Sequence, residues 1–303
     1  MRRSTETAAA CVLMPRWLQL IHALWMLGFC ETLWFFAFLI FEQRSPAGLS
    51  NSARSEMAVS MQILLGILGN ITAVALFISP APTFWRILRM KSTQDYSGLP
   101  YVCTLFNCML WVFYGMPFVK TNGMLIITIN AAGCAIETVY LLIYLIYAPK
   151  LAKMKVLRML GAVLAAFAMV VALTMLLAHT HDARTTIVGS VCVVVAVAMY
   201  VSPLSVMKLV IQTRSVEYMP FLLSLFVLIN SLVWMLYAVA TKDIFIGIPN
   251  GLGVLAGVAQ LLLYLVYRNA KPEAGRSPDE IEDGVGMKPL ESHHNNNANN
   301  VSK

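Results

Sequence analysis

Charge is the first thing this sequence lacks. Only 12% of its 303 residues are Asp, Glu, Lys or Arg, roughly half the share of a soluble domain. Paired cysteines are also missing. Cys11, Cys30, Cys103, Cys108, Cys134 and Cys192 are scattered through apolar stretches, with no CxxC and no Cys/His cluster, which argues against a zinc site or a disulfide framework. No nucleophile–base or metal-ligand constellation is found, so an enzyme is not expected and no cofactor is implied. A basic face interleaved with aromatics is lacking too, which excludes nucleic acid as a partner.

What the chain has in abundance is unbroken apolar sequence. Hydrophobic residues make up 59% of it, gathered in seven blocks at about 61–80, 101–117, 123–147, 156–178, 187–210, 219–240 and 244–267. Blocks of about 20 apolar residues are what a helix needs to cross the hydrocarbon core. The reading is an all-α membrane protein with seven transmembrane helices and lipid as its surroundings. Residues 269–303 turn polar and end in a His- and Asn-rich run, a composition that predicts a disordered tail. Residues 1–56 stand apart. Trp17 to Phe41 is long enough for an additional span, and the alternative is a start at Met57 or Met61, ahead of which the extension would not belong to the protein.

Basic residues follow every second block: Arg86, Arg89 and Lys91; Lys150, Lys153, Lys155 and Arg158; Lys208 and Arg214; Arg268 and Lys271. The opposite connectors carry only Lys120, Arg184 and Lys242. By the positive-inside rule the first set faces the cytosol. Residue 57 then lies outside and the C-terminus inside, in the plasma membrane ahead of a vacuolar or endosomal one.

The chain also repeats itself. Ser79-Pro80 matches Ser202-Pro203 at an offset of 123, and Lys91-Ser92 falls on Arg214-Ser215. A connector three residues shorter then changes the offset to 120, so that Leu99-Pro100-Tyr101 meets Met219-Pro220-Phe221, Asn130 meets Asn250, and Gly133 meets Gly253. A three-span unit ends on the side opposite its start, yet both copies place their basic loop on the same side. The copies are therefore parallel, and a further span must join them. Block 156–178 has no counterpart and supplies it. The expected division is 57–147, a linker at 148–180, and 181–268. Parallel repeats of this kind are a transporter architecture.

The motifs resemble those of the SWEET sugar-carrier family. They are Phe77-Ile78-Ser79-Pro80-Ala81-Pro82-Thr83-Phe84, the run from Lys91-Ser92 to Pro100-Tyr101, and Trp111 to Tyr114-Gly115. The second half contributes Ser202-Pro203-Leu204-Ser205, the run from Arg214-Ser215 to Pro220-Phe221, and Ile248-Pro249-Asn250-Gly251. The similarity covers about residues 60–268 and points to a plant-type member. It implies bidirectional, energy-independent movement of a small neutral sugar by alternating access, within homo-oligomers.

Asn130 and Asn250 are amides inside hydrocarbon at equivalent positions. Such groups face partners or an aqueous cavity, and an amide can both donate to and accept from sugar hydroxyls. Helix–helix hydrogen bonding is the plainer alternative. Trp111 and Trp234 offer a flat face for the C–H side of a pyranose, against the alternative of an interfacial belt. The resemblance places Asn107 and Asn230 on the wall of the pocket. Being bulkier than Ser, they would narrow it toward a monosaccharide such as glucose. Pro80, Pro100, Pro203 and Pro220 form two related pairs near the cytosolic ends of four spans and read as a gate. Lys120 and Asp243 lie on external connectors, either as a gate latch or as ordinary solvated charges. Glu137 reads as a structural or cytosol-edge carboxylate without a proton relay, since its matched position is Gly257. A heptahelical receptor fits poorly, because it would not repeat. A proline-glutamine-loop-type amino-acid carrier would want charge in its core.

Overall fold

The computed structural model describes residues 51–217 and 219–270. The candidate extra span at Trp17–Phe41 and the tail from residue 271 lie outside them. Among the described residues the secondary structure is helical throughout. The helices are α1 (Asn51–Ile78), α2 (Ala81–Met90), α3 (Leu99–Gly115), α4 (Met124–Tyr147), α5 (Lys150–Leu177), α6 (His181–Met199), α7 (Val201–Thr213), α8 (Phe221–Thr241) and α9 (Ile244–Tyr267).

Two expected spans are broken helices. Between α1 and α2, Pro80 has no N–H for the Leu76 carbonyl; the Ser79 N–H takes that oxygen at 3.1 Å and the Ser79 hydroxyl takes it at 2.7 Å. In the second copy the chain breaks at Tyr200, three residues before Pro203, and α7 follows at once. With α1–α2 and α6–α7 each counted as one segment, six segments among the described residues are long and apolar enough to cross a membrane. The seventh, α3, has 17 residues and reaches only about 25 Å at 1.5 Å per residue.

The repeat is legible in fine detail. Lys91 and Arg214 both end their helices in the left-handed conformation, with φ of 53° and 52°. The next serine then caps the turn in each copy: Ser92 Oγ accepts from Gln94 N at 3.2 Å, and Ser215 Oγ from Glu217 N at 3.3 Å. One correction to the sequence alignment follows from helix length. α8 has 21 residues against 17 in α3, so the three residues lost before Pro220 return inside α8. Trp111/Trp234 and Tyr114/Tyr237 therefore correspond at 123, and the offset reverts to 120 only in α4 and α9.

Within each copy the third helix packs between the first and second, α4 against α1 and α3, and α9 against α6 and α8. The copies meet through α1 with α8 and α3 with α6, which exchange under a pseudo-twofold axis. The linker α5 breaks the symmetry by packing mainly on α3.

The α3–α4 connection depends on two glycines at contact distance. A Cβ on Gly123 would come within 2.6 Å of the Gly115 Cα, and backbone cannot step aside as a side chain can. Gly161, on the lipid-facing run of α5, has nothing within 4 Å of its Cβ position. Gly123→Ala is expected to destabilise the fold by about 1–3 kcal/mol, while Gly161→Ala is neutral or slightly stabilising. Thermal unfolding of the two purified variants in one detergent compares them directly; equal melting temperatures would contradict this packing.

Candidate functional site

A cavity of about 360 Å³ lies between the two copies, near the lower end of the range for small-molecule pockets, about 300–1,000 Å³. All six expected binding residues line it: Asn107, Trp111, Asn130, Asn230, Trp234 and Asn250. No Asp, Glu, Lys or Arg is among its described lining residues.

The pairing is close to symmetric. Asn130 Nδ2 donates to the Ile126 carbonyl at 2.9 Å, and Asn250 Nδ2 to the Ile246 carbonyl at 2.8 Å. One N–H of each amide thus anchors the side chain to its own helix, and each amide has a second N–H and an oxygen to offer. Trp111 meets Tyr114 edge-on at 5.3 Å, and Trp234 meets Tyr237 edge-on at the same 5.3 Å. Both tryptophans are 8% exposed, in the cavity wall and the core around it.

The end of the cavity away from the basic loops is tied across the copies. Asp243 is 4% exposed, so the reading of solvated loop charges is wrong for it. It caps α9, accepting from Phe245 N at 3.0 Å and Ile246 N at 3.3 Å. Its carboxylate also accepts from the Tyr114 hydroxyl at 2.9 Å and pairs with Lys120, whose side chain is 20% exposed. Gln62 Nε2 donates to the Ala240 carbonyl at 2.8 Å, and the Thr185 hydroxyl to the Val119 carbonyl at 2.5 Å. One apolar cluster, including Trp111, Tyr114, Val188, Trp234 and Ile246, runs through both copies here.

The basic-loop end is built differently. Phe84, Ile87, Tyr140, Tyr144 and Val156 form a core belonging to the first copy and the linker, with Phe84 stacked on Tyr140 at 4.2 Å. Met207, Val210, Met219 and Leu263 form another within the second copy. The four prolines lie at this end, but only Pro203 reaches the cavity wall. Pro100 sits in the first turn of α3 and Pro220 precedes α8, positions where proline fits without bending a helix.

Glu137 is not at a membrane edge. It is 3% exposed and ten residues from the end of α4 at Tyr147, roughly 15 Å along the axis. Its Oε2 has no hydrogen-bond partner among the described residues.

Three residues were missed from the sequence. Tyr114 is the bridge to Asp243, and its recurrence with Tyr237 in a Trp-x-x-Tyr pattern was the available signal. Tyr200 lines the cavity and donates its hydroxyl to the Pro249 carbonyl at 2.7 Å, joining the α6–α7 break to the proline inside α9. Thr72 bonds Asn230, with no local signature.

A neutral cavity between two parallel three-helix units, closed at one end by a buried cross-repeat ion pair, is the build of a small-molecule carrier. The family described as "Sugar efflux transporter for intercellular exchange" matches residues 63–152 and 186–272, one match in each copy. The chain belongs to that family. It is 50% identical over 208 residues to the bidirectional sugar transporter SWEET4 of Oryza sativa subsp. indica, covering 69% of this chain and 80% of that one. It is 45% identical over 229 residues to the bidirectional sugar transporter SWEET1a of Oryza sativa subsp. japonica, covering 73% and 84%. Among solved structures, a eukaryotic SWEET transporter aligns with a TM-score of 0.67 and 38% identity, over 70% of this chain and 99% of that one.

Removing Asp243 would leave Lys120 without its counter-charge, α9 uncapped and the Tyr114 hydroxyl without its acceptor. Asp243→Ala is expected to destabilise by roughly 3 kcal/mol, and Tyr114→Phe, which deletes one hydrogen bond, by about 1 kcal/mol. Melting temperatures in detergent measure both; an Asp243→Ala protein as stable as wild type would mean the ion pair does not hold this end closed.

Proposed function

We propose that this protein is a passive, bidirectional carrier of a small neutral monosaccharide such as glucose, working by alternating access. The observation that carries this reading is the uncharged cavity walled by two pairs of amides and a pair of tryptophans. A sugar ring has hydroxyls for the amides and an apolar C–H face for an indole, and it brings no charge for the site to neutralise. A zwitterionic amino acid would bring two, and the wall offers no counter-charge.

In this reading residues 57–147 and 181–268 are the two moving units and 148–180 is the linker. The basic loops face the cytosol, the C-terminus is cytosolic, and the membrane is the plasma membrane. The Lys120–Asp243–Tyr114 contact is the external gate, and the helix breaks beside Pro80 and Pro203 are pivots of the cytosolic one. Pro100 and Pro220 start the adjoining helices of that gate. Homo-oligomers are expected through the lipid-facing surface. Glu137 has no titratable neighbour at its matched position, where Gly257 has Leu228 Cα 3.1 Å from its Cβ position. Coupling to protons is therefore not part of the proposal.

The test is uptake of labelled glucose, fructose and sucrose in cells lacking their own carriers. Glucose should enter down its gradient, and Asn130→Ala or Asn250→Ala should reduce uptake at least tenfold with normal surface delivery, since each removes a group that both donates and accepts. Asn107→Ser with Asn230→Ser should widen the cavity and raise sucrose flux relative to glucose. Normal transport by both alanine variants, or uphill uptake driven by a proton gradient, would overturn the proposal.

A further inference from the structure

Asn107 and Asn230 occupy repeat-related positions on opposite walls of the cavity, yet their hydrogen bonding differs. Thr72, on α1, donates its hydroxyl to Asn230 Oδ1 at 2.9 Å. The same hydroxyl lies 3.1 Å from the Leu68 and Gly69 carbonyls, but its single hydrogen serves one acceptor at a time, and Asn230 Oδ1 is the nearest of the three. Asn107 has no such tie. Its Oδ1 is buried and has no hydrogen-bond partner among the described residues.

The sequence explains the difference. The offset of 123 that relates Asn107 to Asn230 also relates Thr72 to Val195. The same offset holds in three dimensions for Phe77 and Tyr200, which close on Gly133 and Gly253 at 2.6 Å from the respective Cβ positions. Val195 packs on the apolar cluster shared by both copies. It has the shape of threonine and lacks the hydroxyl, so the donor that fixes Asn230 is missing where Asn107 would use it.

A buried acceptor without a donor is unfavourable, and anything that satisfies it is bound more tightly for doing so. The terminal torsion of an asparagine is soft and roughly two-fold, so Asn107 can turn its oxygen toward the cavity with no hydrogen bond to lose. Asn230 can turn only by giving up Thr72. We infer that Thr72 and Val195 polarise the cavity: Thr72 is a positioning residue that fixes Asn230 as wall, and Val195 leaves Asn107 free to accept a hydroxyl of the cargo. The inference rests on the sugar reading above, and gives the sugar one preferred way round in a nearly symmetric site.

The experiment is a hydroxyl swap between the copies, read as KM and maximal rate for glucose uptake by the full chain. Val195→Thr supplies Asn107 with a donor and should raise KM about five- to tenfold, one hydrogen bond's worth, with the maximal rate changed less than twofold. Val195→Ala, which adds no donor, should leave KM within about twofold. Thr72→Ser keeps the hydroxyl and should behave as wild type. The double variant Thr72→Val, Val195→Thr exchanges the roles of the two walls and should return KM to within about twofold of wild type, because the sugar can bind turned about the pseudo-axis. If Val195→Thr does not reach the membrane, Asn107→Leu and Asn230→Leu read the same asymmetry, the first raising KM several-fold more than the second. An unshifted KM in Val195→Thr, no recovery in the double variant, or equal effects of the two leucine variants would overturn the inference while leaving the sugar reading intact. Absence of saturable uptake of any of the three sugars by wild type would instead remove that reading, and this inference with it.

Discussion

A single buried carboxylate decides how the two halves of this molecule meet. An ionised Asp243 at 4% exposure is tolerable only because its oxygens are filled: two backbone N–H groups of α9, the Tyr114 hydroxyl and the Lys120 ammonium. The first two donors belong to its own helix, and the last two come from the other copy. Separating the copies at this end would strip half of its partners while leaving the charge in place, a severe cost for a buried ion. In the proposed transport cycle the contact would therefore be either fully made or opened to water, with little between. Around it the two tryptophans, Val188 and Ile246 pack into one core shared by both copies, so the ion pair and the apolar seal form and separate together.

The opposite end follows the contrary rule. Each copy has its own apolar core there, so parting the copies at that end need not expose either one. The chain is jointed at the matching place, where α1 gives way to α2 and α6 to α7. The two joints are related by the repeat, and Tyr200 carries a hydroxyl where Phe77 has none. Phe77 and Tyr200 sit equally close to Gly133 and Gly253, but they are tied to the neighbouring helix differently: the Tyr200 side chain donates its hydroxyl to the Pro249 carbonyl, whereas the Phe77 backbone carbonyl accepts from the Tyr140 hydroxyl at 3.1 Å. Asn250 follows Pro249 directly, so in the second copy a cavity residue and a helix joint are one hydrogen bond apart.

Much of this was written in the sequence in readable form. Blocks of span length, the alternation of basic loops and the matched Ser-Pro and Asn positions led to the helix order and to Asn130, Asn250, Trp111 and Trp234, because hydropathy and symmetry act locally or at a fixed offset, while Asn107 and Asn230 came from the family resemblance. What stayed hidden depends on tertiary environment. Lys120 and Asp243 read equally as a latch or as solvated loop charges, because nothing in a connector of that composition announces burial. Glu137 read as either a structural or a cytosol-edge carboxylate, because depth in a helix depends on where the helix ends. The bond from Thr72 to Asn230 spans 158 residues and carries no local pattern. The alignment slipped within α8 because three residues move from the connector after it into the helix, which leaves Pro220 as far from Asn250 as Pro100 is from Asn130.

The linker sets a limit on how far symmetry can be carried. Duplicating an odd number of spans in parallel demands one extra crossing, and α5 makes it by packing mainly against α3, with Val156 built into the first copy's own core. Among the described residues the second copy has no linker residue in its core at that end, which rests on Met207, Val210, Met219 and Leu263 with Tyr264 and Tyr267 packed against them. Two units with the same helices thus differ in bracing, and in the proposed cycle separating the copies at the basic-loop end would disturb a linker contact only in the first. The Tyr200–Pro249 bond lies in the other copy, where it joins the helix break directly to the helix that carries Asn250.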